Sequence, residues 1–582
     1  MSNRKGGILL HITSLPGNEG TGTLGKNAFQ FVDFLEKSKQ TLWQILPLGQ
    51  VGYGDSPYQC YSAFAGNIQL IDLELLIKDG LLEKADLKAS TPFDSAQGDC
   101  QAEIHTKAKT PLDSAQGDCQ AEIHTKAKTP LDPAQGDSQA EIHTKAKTPL
   151  DSAQGDSRSE YRNASQAERS PRLPDGQESL ITETNQKADF EAARKWKLPL
   201  LKKAYNNFQK NTEPFIQEYF YFQYEHKWWL HDFTLFMALK DYFKGESWSE
   251  WPDEIKFRKP ETIKKYSELL KAEIDFRVFM QWQFFRQWHR LKKYANEKGV
   301  EIIGDVPLYV STDSADVWSN TDIFLLDEKL NPTFVGGVPP DYFSKTGQLW
   351  GNPVFNWQRL EERQFDWWML RLRFNINMFN LVRIDHFRGL ESYWSVPAGE
   401  KTAINGKWEA AKGYQLLLKF RHEFGSLPFI AEDLGVITNE VKKLRDDLHL
   451  TGIKVLQFAF GSDAKNENLP HNYKPNFLAC TGTHDNNTTR DWMTSAKKKE
   501  KKMIQKYLGE PESALQNAIE MVWSSTAKMA IMPMQDLLGL GAEARMNIPG
   551  TATGNWGWRF EWKQILPQHT KNLKELTEKY NR

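Results

Sequence analysis

The chain has 582 residues, with 74 basic side chains against 75 acidic ones and a formal net charge of -1. That balance excludes an overall field drawing the protein to nucleic acid or an anionic membrane, and no apolar run approaches the ~20 residues needed to span a bilayer. Aromatic residues make up 12% of the chain, including 20 Trp, beside only 4 Cys; so few cysteines exclude a disulfide framework and fit a reducing, cytoplasmic setting.

The opening segment, residues 1–15, carries an apolar core too short for a secretory leader. The runs Gly7–Ile12 and Thr41–Leu48 read as two buried strands around an amphipathic helix over Ala28–Lys37. The second strand leads into Gly52-Tyr53-Gly54-Asp55-Ser56-Pro57-Tyr58-Gln59, a turn-rich loop presenting a tyrosine. Residues 1–86 thus form the first part of a barrel. A tandem repeat follows, its copies opening at Thr91, Thr110, Thr129 and Thr148, a period of 19 residues. Each unit holds one large apolar residue beside its proline and one isoleucine at most, too little to offset the entropy of ordering it. His105, His124 and His143 recur at the same period, but no second ligand stands at fixed helical spacing beside them. Residues 87–188 therefore read as a solvated, disordered insert.

Residues 189–299, rich in helix formers and aromatics, are expected to form a helical subdomain, because a connection this long needs structure of its own. Beyond it, Val300–Val310, Leu381–Phe387, Pro428–Glu432, Gly452–Phe460, Phe477–Asp485 and Ile531–Leu540 read as six more strands. Amphipathic stretches at Trp367–Asn380, Gly413–Phe424 and Thr438–Leu448 lie between some of them. Eight buried strands alternating with helices predict a (β/α)8 TIM barrel, with the helical insertion and the repeat placed between strands two and three. Residues 300–582 complete it. Within them, 336–353 are punctuated by Gly and Pro and carry Asp341, Tyr342, Phe343 and Trp350, which predicts an exposed active-site loop lying over a groove.

Three of these runs end in carboxylates: Asp385 on the fourth strand, Glu432 on the fifth and Asp485 on the seventh. Reactive groups of such barrels sit at the C-terminal strand ends, and paired carboxylates there suit glycosidic-bond chemistry. Arg383 shares a strand face with Asp385 and would hold it ionised, as a nucleophile requires. Glu432 follows the apolar Phe429-Ile430-Ala431, a lead-in that would raise its pKa and keep it protonated as a general acid. His484 and Asp485 supply neighbouring groups able to grip sugar hydroxyls, and no metal or organic cofactor is expected.

These segments resemble the amylomaltases, the 4-α-glucanotransferase or disproportionating-enzyme family related to the α-amylases. The likeness runs through Ile12-Thr13-Ser14-Leu15-Pro16-Gly17, Ser56-Pro57-Tyr58-Gln59, Gly304-Asp305-Val306-Pro307 and the Pro339–Pro353 loop. It continues through Arg383-Ile384-Asp385-His386-Phe387-Arg388-Gly389, Ala431-Glu432-Asp433-Leu434-Gly435, Thr483-His484-Asp485 and Asn555-Trp556. The resemblance implies that Asp385 is the nucleophile, Glu432 the acid/base and Asp485 the transition-state stabiliser. It implies that Tyr58, Asp305, Asp341, Trp350, Arg383 and His484 line the substrate site, and that the partners are malto-oligosaccharides and starch- or glycogen-derived glucans. The implied reaction is transfer of α-1,4-glucan segments by retaining double displacement. An α-1,4-glucan hydrolase on the same barrel and a non-catalytic carbohydrate-binding barrel are the alternatives.

Overall fold

In the computed structural model, which describes residues 4–88, 187–340 and 344–582, each of the eight apolar runs overlaps a strand, and the first and last of these strands begin two residues before their runs. In chain order the strands are β1 (Lys5–Leu9), β2 (Leu42–Gln44), β3 (Glu301–Val306), β4 (Phe334–Val338), β5 (Gln348–Pro353), β6 (Leu381–Ile384), β7 (Ser392–Pro397), β8 (Lys407–Ala410), β9 (Phe429–Ala431), β10 (Gly452–Val455), β11 (Phe477–Cys480) and β12 (Met529–Pro533). Eight of them form one parallel sheet in the order β10-β11-β12-β1-β2-β3-β6-β9. A parallel bridge from Ile430 to Thr451, with the Ala431 N–H donating to the Thr451 carbonyl at 2.7 Å, joins β9 back to the entry of β10 and closes the barrel. Every residue of β2, β9, β11 and β12 is buried, because a closed parallel sheet is covered by side chains inside and by helices outside. That double burial is why these strands read as unbroken apolar runs.

The strands end earlier than the apolar runs do. β10 gives way to a 3-10 turn at Leu456–Phe458 and β12 to a short helix at Met534–Leu537. The apolar residues beyond the ladders line the mouth in turns, where burial continues after strand pairing has stopped. The covering helices Lys26–Lys37, Asp366–Met378, Gly413–Phe424 and Asn439–Asp447 fall where their periodicity places them.

Between β2 and β3 the described residues form helices at Phe190–Lys210, Ile216–Tyr242, Pro260–Leu269 and Lys271–Glu297. The last of these packs along Ile216–Tyr242 and also meets β3 and the Lys26–Lys37 helix, so it serves as a layer of the barrel itself. Its register is set by two side-chain amides. Gln281 accepts from the Gly66 N–H and donates to the Gly66 carbonyl, and Gln287 does the same with Asp72. Each pair satisfies backbone groups of the segment leaving β2 that burial would otherwise strand. The repeat, expected as a disordered insert over 87–188, falls for residues 89–186 outside the described residues.

The segment 336–353, expected as an exposed loop, is corrected by the structure. β4 and β5 pair antiparallel and join β7 and β8 in a second sheet of order β5-β4-β7-β8. Gly336 and Gly337, which made this stretch read as a loop, are required by close approach within the strand. A Cβ on Gly336 would stand 2.6 Å from the Tyr309 ring, and one on Gly337 would stand 2.4 Å from the Gln348 carbonyl oxygen. Among the described residues between the two strands, Lys345 and Thr346 form a turn.

Candidate active site

The barrel mouth collects the acids from different strands and joins them through one cation. Asp305 on β3 stands opposite Arg383 on β6 in the parallel register. The Arg383 Nη1 donates to both Asp305 oxygens at 2.8 and 2.7 Å, while its Nη2 reaches Asp385 Oδ1 at 2.8 Å. Arg383 and Asp305 are both buried. Burial alone would work against the guanidinium charge, but the carboxylates of Asp305 and Asp385 overcome it and push the Arg383 pKa well above its usual range. Burial also pushes the Asp305 carboxyl up, and the Arg383 guanidinium pulls against that rise.

The network extends across the mouth. The Tyr58 hydroxyl donates to Asp305 Oδ2 at 2.8 Å and lies 2.9 Å from His484 Nε2. Burial, reinforced by Asp305, pushes the Tyr58 hydroxyl well above its ordinary pKa, so it keeps its proton. With that proton committed to Asp305, His484 Nε2 carries the hydrogen it gives to the Tyr58 oxygen. The same nitrogen lies 3.3 Å from Asp485 Oδ2. Asp385, Arg383, Asp305, Tyr58, His484 and Asp485 thus form one continuous polar chain over the barrel end. The Trp556 ring packs against both Tyr58 and His484, with centroids 5.9 and 6.0 Å away.

Glu432 follows β9 directly. Its backbone N–H donates to the Ile384 carbonyl at 3.1 Å, its own carbonyl accepts from the Phe387 N–H at 3.2 Å, and its Oε2 accepts from the His386 N–H at 2.7 Å. Desolvation pushes the Glu432 carboxyl well above the usual range; Arg383 opposes that rise and the neighbouring Asp385 charge adds to it. The next acid in sequence, Asp433, turns away from the mouth. It pairs with buried Arg445 and accepts from the Ile453 N–H at 2.7 Å, bracing β9 against β10.

Asp485 is gripped by residues that sequence reasoning missed. The Asn547 Nδ2 donates to Asp485 Oδ1 at 2.6 Å, and Arg545 Nη2 donates to the Asp485 carbonyl at 2.8 Å. Arg545 also donates from Nε to the Asn547 carbonyl at 2.8 Å, which ties the two holders together. Nothing in the local pattern of 545–547 marks these residues, since their partner lies some sixty positions earlier. The loop carrying Asp485 is pinned from below by buried Asp536, which accepts from the Thr481 hydroxyl and from both the N–H and the hydroxyl of Thr489.

Trp350 on β5 stands edge-on to the His386 ring at 4.8 Å between centroids. Asn352 on the same strand accepts from Gln59 Nε2 at 3.2 Å, linking the second sheet to the Tyr58 loop. Asp341, with Tyr342 and Phe343, lies outside the described residues. Of the nine residues expected in the site, the other eight thus stand at the mouth. Among the described residues, no group of three or more His, Cys, Asp or Glu is arranged to hold a metal ion. The chemistry available is that of one carboxylate paired with a guanidinium beside a carboxyl of raised pKa, which is the division of labour of a glycosidic acid/base pair.

Comparison with known proteins points the same way. The profile of glycoside hydrolase family 77, 4-alpha-glucanotransferase, matches residues 10–130 and 157–565. The chain is 39% identical over 578 residues to the 4-alpha-glucanotransferase of Clostridium butyricum, covering 98% of this chain and 100% of that one. It is 37% identical over 588 residues to the chloroplastic/amyloplastic 4-alpha-glucanotransferase of Solanum tuberosum, covering 100% of this chain and 86% of the relative. Among solved structures, an amylomaltase from Streptococcus agalactiae in complex with acarbose superposes with a TM-score of 0.81 at 33% identity, covering 100% of this chain and 99% of that one.

Proposed function

The chain belongs to the 4-alpha-glucanotransferase family and is an enzyme of that type, and from that premise we propose that Asp385 is its nucleophile, Glu432 its acid/base and Asp485 its transition-state stabiliser. The observation that carries the assignment is the bridging of Asp305 and Asp385 by Arg383 beside a carboxyl of raised pKa. Arg383 occupies Asp385 Oδ1 and leaves Oδ2 to attack the anomeric carbon of an α-1,4-linked glucan. As the C1–O4 bond breaks, Glu432 gives its proton to the departing oxygen, and a β-linked glucosyl ester forms on Asp385. The 4-hydroxyl of an acceptor sugar then attacks the same carbon, the ester bond breaks, and Glu432 takes the hydroxyl proton back. Two inversions restore the α-1,4 bond. Asp485, held through Oδ1 and flanked by His484, grips the hydroxyls of the distorted sugar, while Tyr58, Asp305, Asp341, Trp350 and Arg383 frame it.

The substrates in this reading are malto-oligosaccharides and longer α-glucans, the setting is cytoplasmic, and among the described residues no helix is long and apolar enough to cross a membrane. Incubation with pure maltotriose tests it. Glucose and longer oligomers should appear at a constant number of reducing ends, and Asp385→Ala should lower the rate by at least about 10⁴-fold. A steady rise in reducing ends would favour the hydrolase, sugar binding with no turnover of maltotriose would favour the binding barrel, and unimpaired turnover in Asp385→Ala would overturn the nucleophile assignment.

A further inference from the structure

The helix Ile216–Tyr242 turns one face inward and leaves the other to solvent. Phe222, Trp229, Leu230 and Phe233 are buried. Phe222 and Trp229 meet the Phe285 ring of the Lys271–Glu297 helix, at 5.5 and 5.9 Å between centroids. A helix with one covered face ordinarily presents charged and polar residues on the other. Here the other face carries Phe220, Tyr221, Tyr224 and Trp228, which are 61%, 57%, 65% and 37% exposed. Elsewhere among the described residues, exposed large apolar side chains such as Phe257, Ile404 and Ile548 stand apart in sequence, as is normal for a protein surface. Four rings within one short stretch of helix need an occupant.

The spacing says which. Gln217, Tyr221, Tyr224, Trp228 and His231 are all exposed and recur at alternating intervals of four and three, the seam of helices that pair along their length. Phe220 and Lys227, also exposed, flank that seam. The set is symmetric about Tyr224. When a second copy of the helix runs antiparallel across it, on a two-fold axis at Tyr224, every member meets another member. Phe220 meets Trp228, Tyr221 meets Lys227, Gln217 meets His231, and Tyr224 meets itself. An isologous interface requires this reciprocity. The pairs match chemically as well, ring on ring at Phe220 and Trp228 and a cation on a ring at Lys227 and Tyr221. Lys227 already stands over the Tyr224 ring of its own helix, 4.4 Å from the centroid. Trp228 stands edge-on to Phe64 at 4.6 Å, so the face is set before a partner arrives and loses little freedom on pairing.

Area and composition favour a second copy over a sugar chain. An aromatic side chain carries about 150–250 Å², so at these exposures the four present roughly 450 Å². That is more than half of the ~800 Å² each partner gives to a stable interface. The rings occupy the middle of the face while Gln217 and His231 stand at its ends, which is the core and rim of a protein interface. A sugar site needs polar groups beside the ring to grip hydroxyls, and at the centre of this face ring follows ring. We propose that the protein is a two-fold dimer through residues 217–231 of this helix, paired antiparallel with the same residues of a second copy and centred on Tyr224.

Charge placed on the axis tests the proposal, because a residue on a two-fold axis faces itself. In analytical ultracentrifugation the full chain should sediment at twice its own mass and dissociate on dilution. Tyr224→Glu and Tyr224→Lys each set like charges against each other. Each should raise the dimer dissociation constant at least roughly 100-fold, since the substitution enters the interface twice. Mixed in equal amounts, the two variants should recover the dimer, Glu opposite Lys. Both should disproportionate maltotriose at the parental rate, which also shows that they fold. A parent that is monomeric at its highest soluble concentration overturns the proposal. So does a dimer that both variants leave intact, which would place the interface elsewhere. Variants that stay monomeric even when mixed overturn the axis at Tyr224. A monomeric parent that is retarded in a glycogen gel, with the retardation lost in Tyr224→Glu, overturns the second copy and gives the face to a glucan.

Discussion

Glu432 and Asp385 are both carboxyls at one mouth, and their difference lies in the neighbours of each side chain. The guanidinium of Arg383 is placed directly on Asp385, whereas Glu432 receives a single backbone N–H and is otherwise desolvated. Between the unfolded value near 4.5 and its raised folded value, the folded chain therefore holds a proton on Glu432 that the unfolded chain has released. The stability contributed by the protonated carboxyl is full below about pH 4.5 and is lost as pH climbs toward the folded value. Glu432→Gln keeps an acceptor for the His386 N–H and cannot ionise. It should be inactive yet more stable than the parent in urea at pH 7, with the advantage vanishing near pH 4. Equal urea midpoints at both pH values would mean that Glu432 is not held protonated. For the active enzyme the same shift predicts that kcat/KM falls on the alkaline side as Glu432 loses its proton.

The elements behind the mouth divide into those that deliver chemistry and those that aim it. The turn after the helix at Met534–Leu537 belongs to the second kind, reaching back through Asn547 to Asp485. Asn547→Ala frees Asp485 Oδ1 from the amide that aims it, and misplacing a site group in this way should lower kcat/KM roughly 10- to 100-fold. Because Asp485 remains partly open to water, the urea midpoint should barely move; a midpoint shift that accounts for the lost activity would make Asn547 structural. Elements of the first kind were legible in sequence, since a strand buried on both faces must be apolar until it delivers its acid. Asp305 shows the limit. The residue pattern pairs Arg383 with Asp385 two positions on, but only the β3–β6 register sets Asp305 opposite the same guanidinium. β4 and β5 were hidden for a different reason. The β4 glycines, Gly336 and Gly337, are demanded by the Tyr309 ring and the Gln348 carbonyl, so a strand shaped by close approach looks like a loop.

At the scale of the whole molecule, all eight barrel strands and every described site residue lie within residues 4–88 and 187–582. The chain is secured on both sides of the repeat. Asp86 pairs with Lys203 before it; after it, the Ala188 N–H donates to the Gly557 carbonyl at 2.8 Å, the Asp189 N–H to the Gly20 carbonyl at 2.9 Å, and Asp189 caps the helix that begins at Phe190. Barrel closure and the polar chain over the mouth are built from described residues. Loop length enters stability only logarithmically, so replacing roughly 100 residues by a flexible Gly/Ser linker of about 20 changes the closure entropy by about 1.4 kcal/mol, in favour of the shorter chain. We expect the linker variant to unfold in urea at the same or a slightly higher midpoint, and to disproportionate maltotriose at a rate within about twofold of the parent, because nothing at the mouth has been moved. A loss of transfer activity with the urea midpoint intact would assign the repeat a part in handling the glucan. A fall in the midpoint would show that the barrel leans on the insert for its stability.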